Sequence, residues 1–133
     1  LRLLNNKIEQ KQWKELADWL SEFKASFGKI NIIGSGGNIN KLTKIFGDKT
    51  AHSLDYLKLK SAHQKLDALS MNKRMKKYNL RKDRADVIVP AAMVFLTIMD
   101  QIKADKVFAP KIGVADGLVY ERYEKYLEKN GGK

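Results

Sequence analysis

Apolar side chains in this chain recur mostly with the period of a helix, in successive segments broken by glycine, asparagine or charge. From Asn5 to Phe27, Trp13, Leu16, Ala17, Leu20, Phe23 and Phe27 fall three and four residues apart. Lys11, Lys14, Glu15, Asp18 and Glu22 fill the other side, which predicts an amphipathic packing helix that Gly28 stops in the left-handed conformation. Lys29 to Ile33 is short and β-branched and reads as a strand. Ile39, Leu42, Ile45 and Phe46 then place a helix before Gly47, with Asn38 as its cap. Asp48 to Ser53 reads as a connection, and Ser53 as the cap of a helix from Leu54 to about Leu69 with Leu54, Leu57, Ala62, Leu66 and Leu69 as its stripe. Ser70 is expected to cap a shorter helix, Met71 to Lys77, ending near Asn79.

Val87 to Ile102 has a different pattern. From Ala91 onward nearly every side chain is apolar, and a helix apolar on most faces belongs at the centre of a domain. About 16 residues is too short to cross a bilayer. Asp83 or Asp86 can cap its start, and Pro90 is tolerable only in its first turn. Lys106 to Ala109 reads as a second strand, after which Pro110 to Gly113 turns away. Asp116 is expected to cap a last helix through Lys129 with Leu118, Val119, Tyr123 and Leu127 facing inward. The fold class is therefore helix-rich α/β, with about six helices and about two parallel strands, each strand followed by a helix. A parallel sheet normally has more strands than two and helices on both faces, so this chain is expected to be half of a larger domain. The exposed edge of such a partial sheet invites self-association, and a homodimer is one expected partner arrangement.

At 133 residues and 44% apolar content, residues 1–133 fit a single domain with one modest core. The absence of cysteine excludes disulfides, thiolate metal sites and cysteine nucleophiles, and fits a reducing compartment, with the cytoplasm as the default. The opening Leu1-Arg2-Leu3-Leu4-Asn5 lacks Met and turns polar at once, so neither a signal peptide nor a membrane anchor is expected. The formal charge of +11 points to polyanions, a class in which nucleic acid, membrane surface, polyphosphate and phosphorylated nucleotides are equivalent. Between Lys58 and Arg84, ten basic residues face only Asp67 and Asp83, with Lys73-Arg74-Met75-Lys76-Lys77 the densest part. This run reads either as a solvated face or as a polyanion-attracting rim. Only Tyr56 and Tyr78 interleave with it, which is thin for base stacking.

Two stretches carry candidate chemistry. Gly34-Ser35-Gly36-Gly37-Asn38 joins the first strand to a helix, where glycines permit close approach and a helix start offers unpaired N–H groups to an anion. No Lys-Ser or Lys-Thr pair follows and the spacing is not Gly-x-Gly-x-x-Gly, so it is neither a Walker loop nor a dinucleotide fingerprint. Arg84 has two readings, a structural partner of Asp83 or Asp86, or a guanidinium fork for a phosphate; Arg81 and Lys82 are weaker candidates. His52 and His63 have no acidic cluster beside them and read as surface residues, and no metal site is expected on this chain. Asp100 and Asp105 read as helix-end charges, and no Ser-His-Asp constellation is present.

Asp83-Arg84-Ala85-Asp86-Val87-Ile88-Val89-Pro90, with Gly113-Val114-Ala115-Asp116-Gly117-Leu118 further along, resembles the C-terminal half of the core of the exopolyphosphatase and guanosine pentaphosphate phosphatase family. The resemblance covers roughly residues 30 to 127 and implies a partial ribonuclease-H-like domain of the actin, Hsp70 and sugar kinase group. It also implies that the whole protein hydrolyses a terminal phosphoanhydride of inorganic polyphosphate or guanosine pentaphosphate with magnesium. Gly34, Ser35, Gly36, Gly37, Asn38, Arg81 and Arg84 would then hold the nucleotide or polyphosphate. The family's loop typically reads Gly-Thr-Ser-Gly-Thr. Gly34 and Gly37 match its glycines while the hydroxyl residues are largely replaced, so backbone contacts carry over and side-chain contacts do not. The family's Gly-Leu-Arg-Glu-Gly becomes Gly113-Val114-Ala115-Asp116-Gly117, without its Arg. Its catalytic Glu and Asp-x-Gly-Gly-Gly-Ser loop lie upstream of the matching region and do not occur here, so this chain alone is expected to be inactive and to bind no cofactor, with the N-terminal half of the same protein as its partner. A basic helical module that binds nucleic acid without catalysis is the alternative, and a purely structural domain a third reading.

Overall fold

The most apolar segment takes the centre. In the computed structural model, which describes residues 10–28 and 30–131, it forms helix α6 (Ile88–Ile102) with Ile88, Ala92, Met99 and Ile102 buried and Pro90 in the first turn. Helices α1 (Gln10–Phe27), α2 (Gly37–Phe46) and α3 (Tyr56–Asp67) pack on it. The apolar stretch Lys82–Ile102 passes a length and composition test for a membrane span. It is not one continuous helix, however: α6 itself has 15 residues, about 22 Å against about 30 Å of hydrocarbon, and three other helices cover it.

Asn5 to Glu9, the expected first part of α1, lie outside the described residues. The helix ends as the sequence predicts, at Gly28 with φ 67°. Leu20 is its buried anchor, but Phe23 and Phe27, expected on the packing face, are exposed and form an aromatic ladder with Trp19, ring centroids 4.7 and 5.3 Å apart.

A small sheet lies beside these helices in the order β1 (Ile32–Ile33), β3 (Lys106–Phe108), β2 (Ser53–Asp55). β1 and β3 run parallel, as the sequence predicts, with Ile32 opposite Val107. β2 is a correction. It runs antiparallel to β3 with Leu54 opposite Val107, so Ser53 is a strand residue and α3 starts only after Asp55. Three residues are too few to show a period, and the hydrogen bonds that define this strand come from a partner far along the chain. Asp48 prepares it. Its carboxylate accepts the N–H groups of Thr50 (2.8 Å) and Ala51 (2.9 Å), and its backbone exchanges hydrogen bonds with Ser53 at 2.8 and 3.2 Å, which reverses the chain. Ile39, Leu42, Leu54, Leu59, Leu66, Ile88, Met99 and Val107 fill the core.

Helix α4 (Met71–Tyr78) ends at Asn79 in the left-handed conformation, and α5 (Lys82–Ala85) is a single turn with Arg81 at its cap position. Asp83 therefore lies in the first turn of α5 and Asp86 follows it, so neither caps α6, which Val87 precedes. Arg74, counted by sequence with the basic rim, turns inward. Its Nε donates to the Leu66 carbonyl (2.7 Å) and its Nη1 to the Ala85 carbonyl (3.0 Å), tying α3, α4 and α5 together.

The last helix, α7 (Val114–Lys129), also departs from expectation. Gly113 holds the cap position, and Asp116 accepts the Gly113 N–H at 2.8 Å from inside the first turn. Leu118, Val119 and Tyr123 are 56, 70 and 58% exposed, and of the four residues expected inward only Leu127 is half-buried. The amphipathic pattern is present, but no described element covers it.

Replacing Arg74 by Met, which keeps the stem and removes the fork, is expected to cost about 1–3 kcal/mol in denaturant unfolding, and Arg74→Lys to recover little of it. The hydrogen bonds from Ala51 and Thr50 pull the Asp48 carboxyl below its ordinary value of 3.8. The stability it supplies is therefore present above that pH and is lost as pH falls through the lower folded value. Acid unfolding followed by circular dichroism is expected to be less steep below pH about 4 in Asp48→Asn than in the unmodified protein.

Candidate anion-binding cleft

β1 leads into the glycine-rich turn, whose glycines divide the work. The Gly34 N–H donates to the Phe108 carbonyl at 2.7 Å, extending the β1–β3 ladder, and a Cβ at Gly34 would stand 3.0 Å from both Ile39 and Phe95. Gly34 is thus a packing residue, and Ser35 beside it is exposed. Gly36 has φ 103°, which favours glycine, and it occupies the cap position of α2 that the sequence assigns to Asn38. The helix therefore starts two residues early and has no side-chain cap. Its first backbone bond runs from the Asn40 N–H to the Gly36 carbonyl at 3.2 Å, so the N–H groups of Gly37 and Asn38 have no partner within the helix.

Asn38, released from capping, accepts a hydrogen bond from Arg84 Nη1 at 3.2 Å. The guanidinium lies across Gly37, where any Cβ would collide with it. Arg84 therefore pairs with neither Asp83 nor Asp86. Asp83 pairs with Arg81 instead, at 3.1 Å, and among the described residues no carboxylate pairs with Arg84. A helix start and a guanidinium, both positive, thus sit side by side without a neutralising side chain.

This pair forms one end of a cleft of about 490 Å³. Gly37, Asn40, Lys41 and Lys44, three and four residues apart, line it from one face of α2, while Ile39, Leu42 and Thr43 on the other face are buried. Lys41 is held to the wall by donating to the Asn79 carbonyl at 3.1 Å. Lys111 enters from the turn after β3, with φ 61°. Among the described residues no carboxylate lines the cleft, and no group of His, Asp or Glu is placed to hold a metal ion. Its charge is complementary to an oxyanion, and no described residue in its lining is a carboxylate or histidine that could act as a general base.

Of the residues singled out by sequence, Gly37, Arg81 and Arg84 line the cleft, Asn38 positions Arg84, and Gly36 shapes the helix start. Gly34 and Ser35 are not among the lining residues. Arg81 is exposed at the rim and engaged by Asp83. Lys73, Lys76 and Lys77, the dense part of the basic run, lie exposed on α4 and away from the cleft lining. The polar stripe Gly37, Asn40, Lys41, Lys44 was readable by its helical spacing, whereas nothing local marks Lys111. Asp100 pairs with Lys103 at 3.4 Å at the end of α6, in keeping with a helix-end charge.

A sequence search among characterised proteins finds no significant match. Solved structures do match. A Ppx/GppA family member from Aquifex aeolicus is 19% identical, with a TM-score of 0.66 over 89% of this chain and 42% of that one. An exopolyphosphatase from Cytophaga hutchinsonii is 13% identical, with a TM-score of 0.69 over 89% of this chain and 43% of its own length. An exopolyphosphatase-like protein is 21% identical, with a TM-score of 0.61 over 90% and 45% of the two chains. The chain thus has the fold of part of an actin-like domain and spans less than half the length of these relatives. The Ppx/GppA phosphatase family model matches residues 4–126, nearly the whole chain, and the chain belongs to that family.

Proposed function

We propose that this chain is the C-terminal part of a hydrolase that releases terminal phosphate from inorganic polyphosphate or guanosine pentaphosphate, and that its basic cleft holds the phosphate-bearing substrate. The observation that carries the reading is Arg84 laid over Gly37 at the start of α2, without a carboxylate partner among the described residues. One guanidinium edge is engaged by Asn38 and the rest of the fork remains for phosphate oxygens, beside backbone N–H groups that favour the same charge. Lys41, Lys44 and Lys111 add field, and Arg81, already engaged by Asp83, adds less.

The attack on the phosphoanhydride falls to the part of the protein that this chain lacks relative to its longer relatives. Among the described residues no carboxylate lines the cleft to position a water, so the chain alone is proposed to bind without turning over substrate. The magnesium that the resemblance implies does not fit the residues here, because lysines, an arginine and amides without a carboxylate are not the donor set of a hard divalent cation. Its protein ligands would lie outside this face. A cytoplasmic location, with the N-terminal half as principal partner, completes the proposal. The exposed Lys73, Lys76 and Lys77 on α4 favour a second reading, sequence-independent attraction of any polyanion.

Calorimetric titration of guanosine tetraphosphate separates the two. Arg84→Ala is expected to weaken binding about ten-fold or more and Lys76→Ala less than about two-fold. Equal losses, both steeply salt-dependent, would instead establish nonspecific attraction. Gly37→Ala, which pushes the guanidinium aside while leaving α2 helical by circular dichroism, is expected to lose nearly as much affinity as Arg84→Ala; unchanged binding would remove Arg84 from the site.

A further inference from the structure

Helix α4 gathers basic residues on a single convex face. Its eight residues, Met71-Asn72-Lys73-Arg74-Met75-Lys76-Lys77-Tyr78, include no carboxylate. At about 100° per residue, Lys73, Lys76 and Lys77 fall within one arc, and Met71, Met75 and Tyr78 fall on the opposite side. The packing follows that division: the two methionines and the tyrosine are half-buried against the core, and the three lysines are exposed. Arg74 is spent on the Leu66 and Ala85 carbonyls. The Tyr78 ring stands edge-on to Phe46, centroids 5.3 Å apart, with the Lys77 Nζ 5.5 Å from its centre. The lysine face is thus mounted on a helix held from behind at five positions.

Among the described residues no carboxylate pairs with Lys73, Lys76 or Lys77, and Asp67 is the one acidic residue between Lys58 and Lys82. Three ammonium groups spread over about 6 Å of helix axis call for a partner of dense negative charge. No α4 residue lines the basic cleft, and an outward helix face offers a small ligand no concavity, so that partner is an extended polyanion lying across the helix. A helix that rests on a lipid surface sinks an apolar face into it; the apolar side of α4 is turned to the core, and none of its large apolar side chains is exposed. A single strand held by base stacking needs open aromatic rings, and Tyr78 is already packed on Phe46. The phosphate backbone of a duplex needs neither, and its two strands supply a charge about every 1.7 Å.

We infer that α4 is a docking surface for double-stranded nucleic acid, with Lys73, Lys76 and Lys77 each meeting a backbone phosphate and no base being read. The inference goes beyond the function proposed above, where these lysines count only as a source of diffuse attraction in place of a specific cleft. Here the two surfaces are separate and coexist, because Arg84 and Gly37 line the cleft and the α4 lysines do not. Contacts made by ammonium groups to phosphates position a duplex without sequence preference.

Fluorescence anisotropy of a short labelled DNA duplex, titrated with this chain at a series of salt concentrations, tests it. The logarithm of the association constant is expected to fall against the logarithm of salt with a slope of about −3, and each of Lys73→Gln, Lys76→Gln and Lys77→Gln to reduce that slope by about one. The triple replacement is expected to weaken binding about ten-fold or more at low salt and Arg84→Ala less than about two-fold, while a duplex of unrelated sequence binds as well as the first. All three lysines are exposed, so the triple variant is expected to keep its fold by circular dichroism. If it binds the duplex like the unmodified protein, or if Arg84→Ala loses as much as it does, α4 is not the docking surface. Phosphatidylserine vesicles bound more tightly than the duplex and released by the triple replacement would assign α4 to a membrane, and a single strand bound more tightly than the duplex would assign it to base stacking; either overturns the inference. The triple variant is expected to bind guanosine tetraphosphate within about two-fold of the unmodified protein. Loss of both ligands together would merge the surfaces into one nonspecific field and overturn both proposals, whereas failure of duplex binding alone leaves the cleft standing.

Discussion

The placement of the whole cleft depends on three residues of backbone pairing. β3 touches both other strands, and its middle residue, Val107, is fully buried between Ile32 and Leu54. Its hydrogen bonding continues past the strand itself. The Phe108 carbonyl receives the Gly34 N–H and so fixes where the glycine-rich turn leaves β1, and the Ala109 N–H reaches the His52 carbonyl and so fixes the loop on the other side. β1 and β3 are parallel and exit at the same end of the sheet, so the α2 start and Lys111 are delivered to one place. A crevice beyond the carboxyl ends of parallel strands is where open α/β sheets bind ligands, and here the pairing of β3 alone produces that geometry.

Helices with strong periodicity and the Gly28 stop were legible because each is written in neighbouring residues, and the parallel pair was legible from the order of elements, each strand being followed by a helix. What escaped a local reading was set by distant partners. Asn38 has the chemistry of a cap, but Gly36 takes a backbone angle that asparagine disfavours and starts α2 earlier, and an arginine 46 residues away claims the amide. Arg84 has two aspartates beside it in sequence, yet the turn of α5 aims it at Gly37 and leaves Asp83 to Arg81. Arg74 looked like part of a solvated basic run until the fold set two carbonyls, of Leu66 and Ala85, within reach of one guanidinium. β2 was unreadable because three residues carry no pattern of their own. The periodicity of α7 says that one face is apolar without saying what covers it, and among the described residues nothing does.

The distribution of basic residues shows how little net charge says about a site. Of the ten between Lys58 and Arg84, only Arg81 and Arg84 line the cleft, whereas Lys41, Lys44 and Lys111 lie outside that run. Among the described residues the cleft is distinguished by a lining without carboxylates and by fixed backbone N–H groups, both of which are properties of folded geometry.

That concentration of like charge has a consequence for the fold itself. Arg84 lies against the positive start of α2 without a carboxylate partner among the described residues, and a charge placed beside a like field gives up part of the stabilisation that an ion pair would supply to the fold. Grip and robustness are therefore opposed at these positions.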